Sequence, residues 1–126
     1  ITSKAQSSGP PPVSSQSDLQ WEFLKCVAKL IRYADKMGYK LTAGDLYRDP
    51  RVHGEFGEKA GYGSANSVHK LRMAIDLNLF IDGEYRTDTE AHRPLGNYWK
   101  SLHDLARWGG EFDDGNHYSF EYRGAK

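Results

Sequence analysis

The chain has 126 residues, 38% hydrophobic and 27% charged, which suits one water-soluble domain and leaves no run of about 18 apolar residues to span a membrane. Lys and Arg together number 17, as do Asp and Glu, so the formal charge is zero, without the basic excess that marks a nucleic-acid binder. A single cysteine, Cys26, rules out an intrachain disulfide or a cysteine zinc knuckle, and among Leu24, Val27, Leu30 and Ile31 it reads as a buried, inert thiol.

Residues 1–16, ITSKAQSSGPPPVSSQ, have almost nothing to bury and read as a disordered tail or linker, stiffened at Pro10, Pro11 and Pro12. The folded domain is therefore expected at 17–126. No charged-then-apolar leader is visible, so the expectation is synthesis in the cytoplasm. Ser17 is read as opening a helix, with Gln20 in the capping-box position. Leu19, Phe23, Val27, Leu30, Ile31, Ala34 and Met37 then form one apolar stripe, and Gly38 stops it.

Tyr39 to Thr42 suits a short strand. The polar stretch from Ala43 to Ser67 carries glycines at 44, 54, 57, 61 and 63, and loops of this length tend to be functional. Met73 to Asp82 alternates as a strand, with Ala74, Asp76, Asn78 and Phe80 on one face and Ile75, Leu77, Leu79 and Ile81 on the other. Asp82-Gly83 signals a hairpin into Glu84-Tyr85-Arg86. A second amphipathic helix fits from about Thr89 to Trp108, regular from near Pro94, with Leu95, Tyr98, Trp99, Leu102, Leu105 and Ala106 inward and Gly109-Gly110 as its stop. His117 to Tyr122 reads as a last strand. The result is an α+β domain, two main helices packed on a small antiparallel sheet.

Asp76 lies amid one face of a half-apolar strand, and an unpartnered carboxylate there would be costly. His69 precedes it by seven residues, His117 begins the final strand, and Asp114 sits three positions before His117. Two imidazoles and a carboxylate are a catalytic zinc ligand set, and a further carboxylate can serve as general base. The same residue types also occur as satisfied structural histidines and a turn aspartate, and spacing by itself leaves both readings open. Asp113 is a rival to Asp114 for the base. His53, His92 and His103 read as solvated or surface residues, and Trp99, Trp108, Tyr118 and Phe120 as core.

Ser67-Val68-His69-Lys70-Leu71-Arg72-Met73-Ala74-Ile75-Asp76 resembles the S-x-H-x(6)-D signature of the zinc peptidases that include D-alanyl-D-alanine carboxypeptidases and phage L-alanyl-D-glutamate endopeptidases. Asp114-Gly115-Asn116-His117 is similar to their second motif, and Trp108-Gly109-Gly110 precedes it as in that family. The likeness runs from about Leu41 to Glu121. It implies one Zn²⁺ on the sheet held by His69, Asp76 and His117, with Asp114 as catalytic base. Arg48 matches the family's arginine that stabilises the developing oxyanion, a task suited to a guanidinium fork. Ser67 belongs to the motif and is a candidate for orienting a ligand or touching substrate, and Tyr62 for lining a groove. Many relatives have glycine where this chain has Arg72.

The resemblance implies a monomeric hydrolase of peptide bonds in bacterial peptidoglycan stem peptides, of the phage endolysin type that reaches the wall through a membrane lesion. A D-alanyl-D-alanine carboxypeptidase is the alternative within the class, and a non-catalytic wall-binding module the alternative outside it.

Overall fold

The computed structural model describes residues 15–59 and 67–126. Helix α1 (Gln16–Lys36) begins two residues before the sequence expectation, because Ser15 and not Ser17 is its cap. Ser15 Oγ accepts the Asp18 N–H at 3.1 Å and the Asp18 carboxylate accepts the Ser15 N–H at 3.3 Å, a complete capping box. Gln20, freed from that task, donates to the Leu71 carbonyl at 2.8 Å. The helix buries Phe23, Cys26, Val27, Leu30 and Ala34, whereas Ile31 and Met37 at the stripe's edge, and Leu24 beside it, are exposed. Gly38, at φ +80°, ends it as expected. The proposed tail lies, apart from its last two residues, outside the described residues.

Strand β1 (Lys40–Ala43) pairs antiparallel with β2 (Ala74–Ile81). A four-residue helix, α2 (Pro50–His53), and a 3₁₀ turn (Val68–Leu71) interrupt the long connection between them. Asp82 and Gly83, at φ 51° and 80°, make the tight turn from β2 into β3 (Glu84–Arg86). Helix α3 (Thr89–Lys100) is followed by β4 (Ala106–Trp108), a 3₁₀ turn (Gly109–Phe112) and β5 (His117–Phe120). The sheet runs β1-β2-β5-β4, with β3 also on β2. This is the expected α+β architecture, with α1 and α3 as the two main helices and Phe23, Leu30, Leu79, Leu95, Trp99 and Phe120 in one core.

Three sequence expectations need correction. The second helix stops at Lys100 rather than Trp108, and Ala106–Trp108 joins the sheet against Tyr118–Phe120. Trp99 Nε1 donates to the carbonyls of both Arg107 and Ser119, so the sheet captures this stretch although its apolar spacing would also suit a helix. Gly109 therefore opens a 3₁₀ turn instead of capping a helix, while Asp88 caps α3 at the Ala91 N–H and Pro94 sits inside it. Finally, His92 and His53 are buried, not solvated, and His103 is half-buried against the Phe120 ring.

Candidate metal centre

The β2–β5 register places Asp76 directly opposite His117. Side chains directly opposite in an antiparallel pair share a face, so both project together. The Asp76 backbone is fixed from the β1 side as well: its carbonyl accepts the Gly44 N–H at 2.8 Å and its N–H donates to the Asp45 carbonyl at 2.7 Å. Glycine at 44 lets that segment pass close, since a Cβ there would lie 3.1 Å from the Asp76 carbonyl oxygen.

His69 is carried by the 3₁₀ turn that Ser67 caps, with Ser67 Oγ accepting the His69 N–H at 3.2 Å. His69 Nδ1 lies 2.9 Å from the Leu46 carbonyl oxygen. A carbonyl only accepts, so Nδ1 carries a proton, and in the neutral ring the free lone pair is then the one on Nε2. That Nε2 is buried, has no hydrogen-bond partner among the described residues, and lies 3.4 Å from Asp76 Oδ1. With Nε2 unprotonated, two lone pairs would face each other at this distance and repel, and a proton or a metal cation between them removes the repulsion. His117 Nδ1 lies 3.2 Å from the same oxygen, and its Nε2 is also buried without a partner.

Ligand atoms from the three residues fall within 4.8 Å of one another. Tetrahedral ligands at metal bonds of about 2.0–2.1 Å stand about 3.3–3.4 Å apart, close to the 3.4 Å between His69 Nε2 and Asp76 Oδ1. The cluster can therefore hold a metal ion. Burial of the Asp76 carboxylate opposes its charge, but its hydrogen bonds and charge attraction to the two imidazoles prevail and hold its pKa well below the usual carboxylate range.

Of the seven residues singled out in the sequence, six line one cleft of about 240 Å³: Arg48, Ser67, His69, Asp76, Asp114 and His117. Tyr62 lies outside the described residues. Arg48 is braced on two sides, by Asp45 Oδ2 at 3.2 Å and by Ser67 Oγ at 3.1 Å, and is mostly buried. Ser67 thus links the arginine to the turn that bears His69.

Asp113 and Asp114, the two carboxylates ahead of His117, are placed differently. Asp113 takes φ +60° at the end of the 3₁₀ turn and its carboxylate accepts from Thr89 Oγ1 at 3.4 Å, whereas Asp114 lines the cleft. The backbone around Asp114 is tightly packed. A Cβ on Gly109 would fall 2.2 Å from the Asp114 carbonyl oxygen, and one on Gly115 would fall 2.6 Å from Thr89 Cα. Trp108 fixes the far side by donating its indole N–H to the Gly115 carbonyl at 2.6 Å. The Trp-Gly-Gly run thereby sets the position of the Asp114–His117 turn.

Phe112 and Lys126 also line the cleft and were not anticipated. The Leu46 carbonyl that orients His69 has no side-chain signature to find. The buried His92, by contrast, shares the 92, 95, 99 spacing of the apolar face of α3 with Leu95 and Trp99, and that spacing was the available signal. A larger depression of about 570 Å³ beside Lys100, His103 and Arg107 carries the Lys100–Glu111 ion pair, and its His103, Asp104 and Glu111 do not converge as a metal-ligating group. No helix among the described residues is long and apolar enough to cross a membrane. Comparison with protein-family models, with curated proteins and with solved structures finds no match to this chain.

Proposed function

We propose that this protein is a zinc-dependent peptidase that hydrolyses a peptide bond in bacterial peptidoglycan stem peptides, of the L-alanyl-D-glutamate endopeptidase type found in phage endolysins. The observation that carries the reading is the meeting, in one cleft, of a His69/Asp76/His117 metal trio with an additional carboxylate, Asp114, and a braced arginine, Arg48. Two neutral imidazoles with one carboxylate suit zinc. When bound, zinc would polarise the scissile carbonyl and acidify the attacking water.

The chain's own groups supply the rest. Asp114 accepts the proton of the attacking water and returns it to the leaving amine nitrogen, the ordinary double duty of a carboxylate beside a hydrolytic centre. Arg48 offers guanidinium N–H donors to the carbonyl oxygen as negative charge builds there, and its bracing by Asp45 and Ser67 limits the reorganisation this requires. Leu46 holds the His69 ring in the tautomer that a ligand needs.

The test is mass spectrometry of purified peptidoglycan incubated with the wild-type protein and with His117→Ala. New stem-peptide fragments from the wild type alone support the reading, and their masses separate cleavage between L-Ala and D-Glu from loss of a terminal D-Ala. Absence of new fragments from zinc-loaded wild type that still binds the wall would replace the enzyme by a wall-binding module.

A further inference from the structure

Helix α1 carries two apolar faces, and the core uses only one. Phe23, Cys26, Val27, Leu30 and Ala34 are buried. Trp21, Leu24, Ala28 and Ile31 follow one another at spacings of three, four and three residues and are exposed, the three large ones at 63%, 60% and 47%. At 3.6 residues per turn these four side chains share a strip about 80° wide, separate from the buried face. At its N-terminal end the strip opens into a groove of about 310 Å³, where Trp21 and Leu24 meet Leu46, Tyr47 and Arg72.

The border of the strip is basic. Lys25, Lys29, Arg32 and Lys36 fall at the next positions round the helix, and all are exposed. Lys25 pairs with Glu22 at 3.1 Å, whereas Lys29, Arg32 and Lys36 have no ion pair among the described residues. Arg72 adds a cation at the groove, its guanidinium over the Tyr47 ring. Of the acids on α1, Glu22 is engaged by Lys25, Asp18 serves the helix cap, and Asp35 sits in the last turn.

This charge pattern discriminates between occupants. In two-fold self-docking the same patch meets itself, so a second copy seated on the strip would bring one basic border against the other. An anionic lipid surface instead offers phosphates to the border and an apolar boundary to Trp21, Leu24 and Ile31. A tryptophan ring, apolar in its body and polar at its N–H, suits that boundary.

We propose that the outer face of α1 docks on an anionic phospholipid membrane. The helix lies flat in the interface, with Trp21, Leu24 and Ile31 at the headgroup boundary and Lys29, Arg32 and Arg72 on the lipid phosphates. The groove and the metal cleft share no residue: Leu46 and Tyr47 line the first and Arg48 the second. Docking is therefore a property apart from the peptidase reading, and its test involves no turnover.

The full chain is sedimented with vesicles of mixed phosphatidylglycerol and phosphatidylcholine, and with vesicles of phosphatidylcholine alone, while tryptophan emission is followed. Trp99 and Trp108 are buried, so a lipid-induced shift to shorter wavelength reports Trp21. The mixed vesicles should bind the protein and shift the emission, and the neutral ones should bind it more than about tenfold more weakly. Lys29→Gln and Arg32→Gln should each weaken binding to the anionic vesicles about fivefold, and Leu24→Ser roughly tenfold. Trp21→Phe should abolish the emission shift while most of the binding remains. All these side chains are exposed, so thermal melts of the variants should match the wild type. Absence of binding to the anionic vesicles, equal binding to the neutral ones, or binding that survives Leu24→Ser and Lys29→Gln alike overturns the proposal. It is also overturned by an emission shift that follows protein concentration without lipid, which would assign the strip to a second copy, and by a Trp21 already shielded from acrylamide in lipid-free protein.

Discussion

His92 and Asp76 are both ionisable groups inside the domain, and the fold treats them in opposite ways. Burial lowers the His92 pKa from its ordinary value to about 4, only weakly countered by Asp88, and the ring nitrogen Nδ1 pairs with the Tyr118 hydroxyl at 2.8 Å. A base held neutral in the folded state binds fewer protons than in the unfolded chain, so its contribution is present above about pH 6.5 and is lost as pH falls toward 4. The loss can reach at most about 3 kcal/mol. Urea titrations of metal-free protein between pH 7.5 and 4 should show this decline, and His92→Gln should be less stable at pH 7.5 yet flatter across the window. A variant that declines as steeply as the wild type would show that His92 is not the group responsible. Asp76 contributes in a different range: its pKa is depressed, so its stabilisation is intact above about pH 4 and is lost only below it. At this scale the sequence made the site residues legible through their chemical types and order. It hid the groups that act through backbone or tertiary placement, such as the Leu46 carbonyl behind His69.

Between His69 and Asp76 the chain must leave a 3₁₀ turn and enter a strand, and Arg72 is where it reverses. Arg72 takes φ 61° and ψ 33°, the left-handed conformation that glycine adopts at little cost. A glycine at this position would meet the same backbone demand at lower cost. The side chain is partly compensated by lying over the Tyr47 ring, 3.9 Å from its centroid. Left-handed backbone costs a non-glycine residue about 1–2 kcal/mol. Arg72→Ala keeps that strain and loses the stacking, whereas Arg72→Gly loses the stacking and the strain together. The glycine variant should therefore be more stable than the alanine variant by about 1 kcal/mol in chemical denaturation, and both should retain the metal trio. An alanine variant as stable as the glycine one would mean that this turn relaxes to another conformation. Element boundaries were harder to read than element types. The stretch from Leu102 to Trp108 has helix-like apolar spacing, yet Ala106–Trp108 is taken by the sheet because pairing with β5 and the Trp99 indole satisfies its backbone. Gly96 belongs to the same lesson: a glycine in the middle of α3 looks like a weakness until the Trp108 ring is found 2.1 Å from where its Cβ would be.

For the molecule as a whole, the three residues that could hold a metal come from separated parts of the chain, the 3₁₀ turn before β2, β2 itself and β5, so any ion they bind ties distant segments together. The overall layering was legible because two strong amphipathic patterns and one alternating strand dominate the sequence, while the sheet order β1-β2-β5-β4 is set by long-range pairing that no local pattern encodes. Because the unfolded chain cannot assemble the trio, binding free energy becomes folding free energy. At a free zinc concentration 100 times the dissociation constant the gain is about 2.7 kcal/mol, which for a domain near 100 residues raises Tm by roughly 10–20 °C. Calorimetric melts with and without zinc should show that rise, and a chelator should reverse it. His69→Ala, Asp76→Ala and His117→Ala should each abolish most of it. Asp114→Asn should keep the full shift, because Asp114 lines the cleft without belonging to the trio. These arms separate structure from chemistry. A shift lost in Asp114→Asn would make Asp114 a fourth ligand and remove it as the proton acceptor. A wild type that shows no shift at all would mean that the buried imidazole nitrogens are satisfied in some other way, and the peptidase reading would lose its foundation.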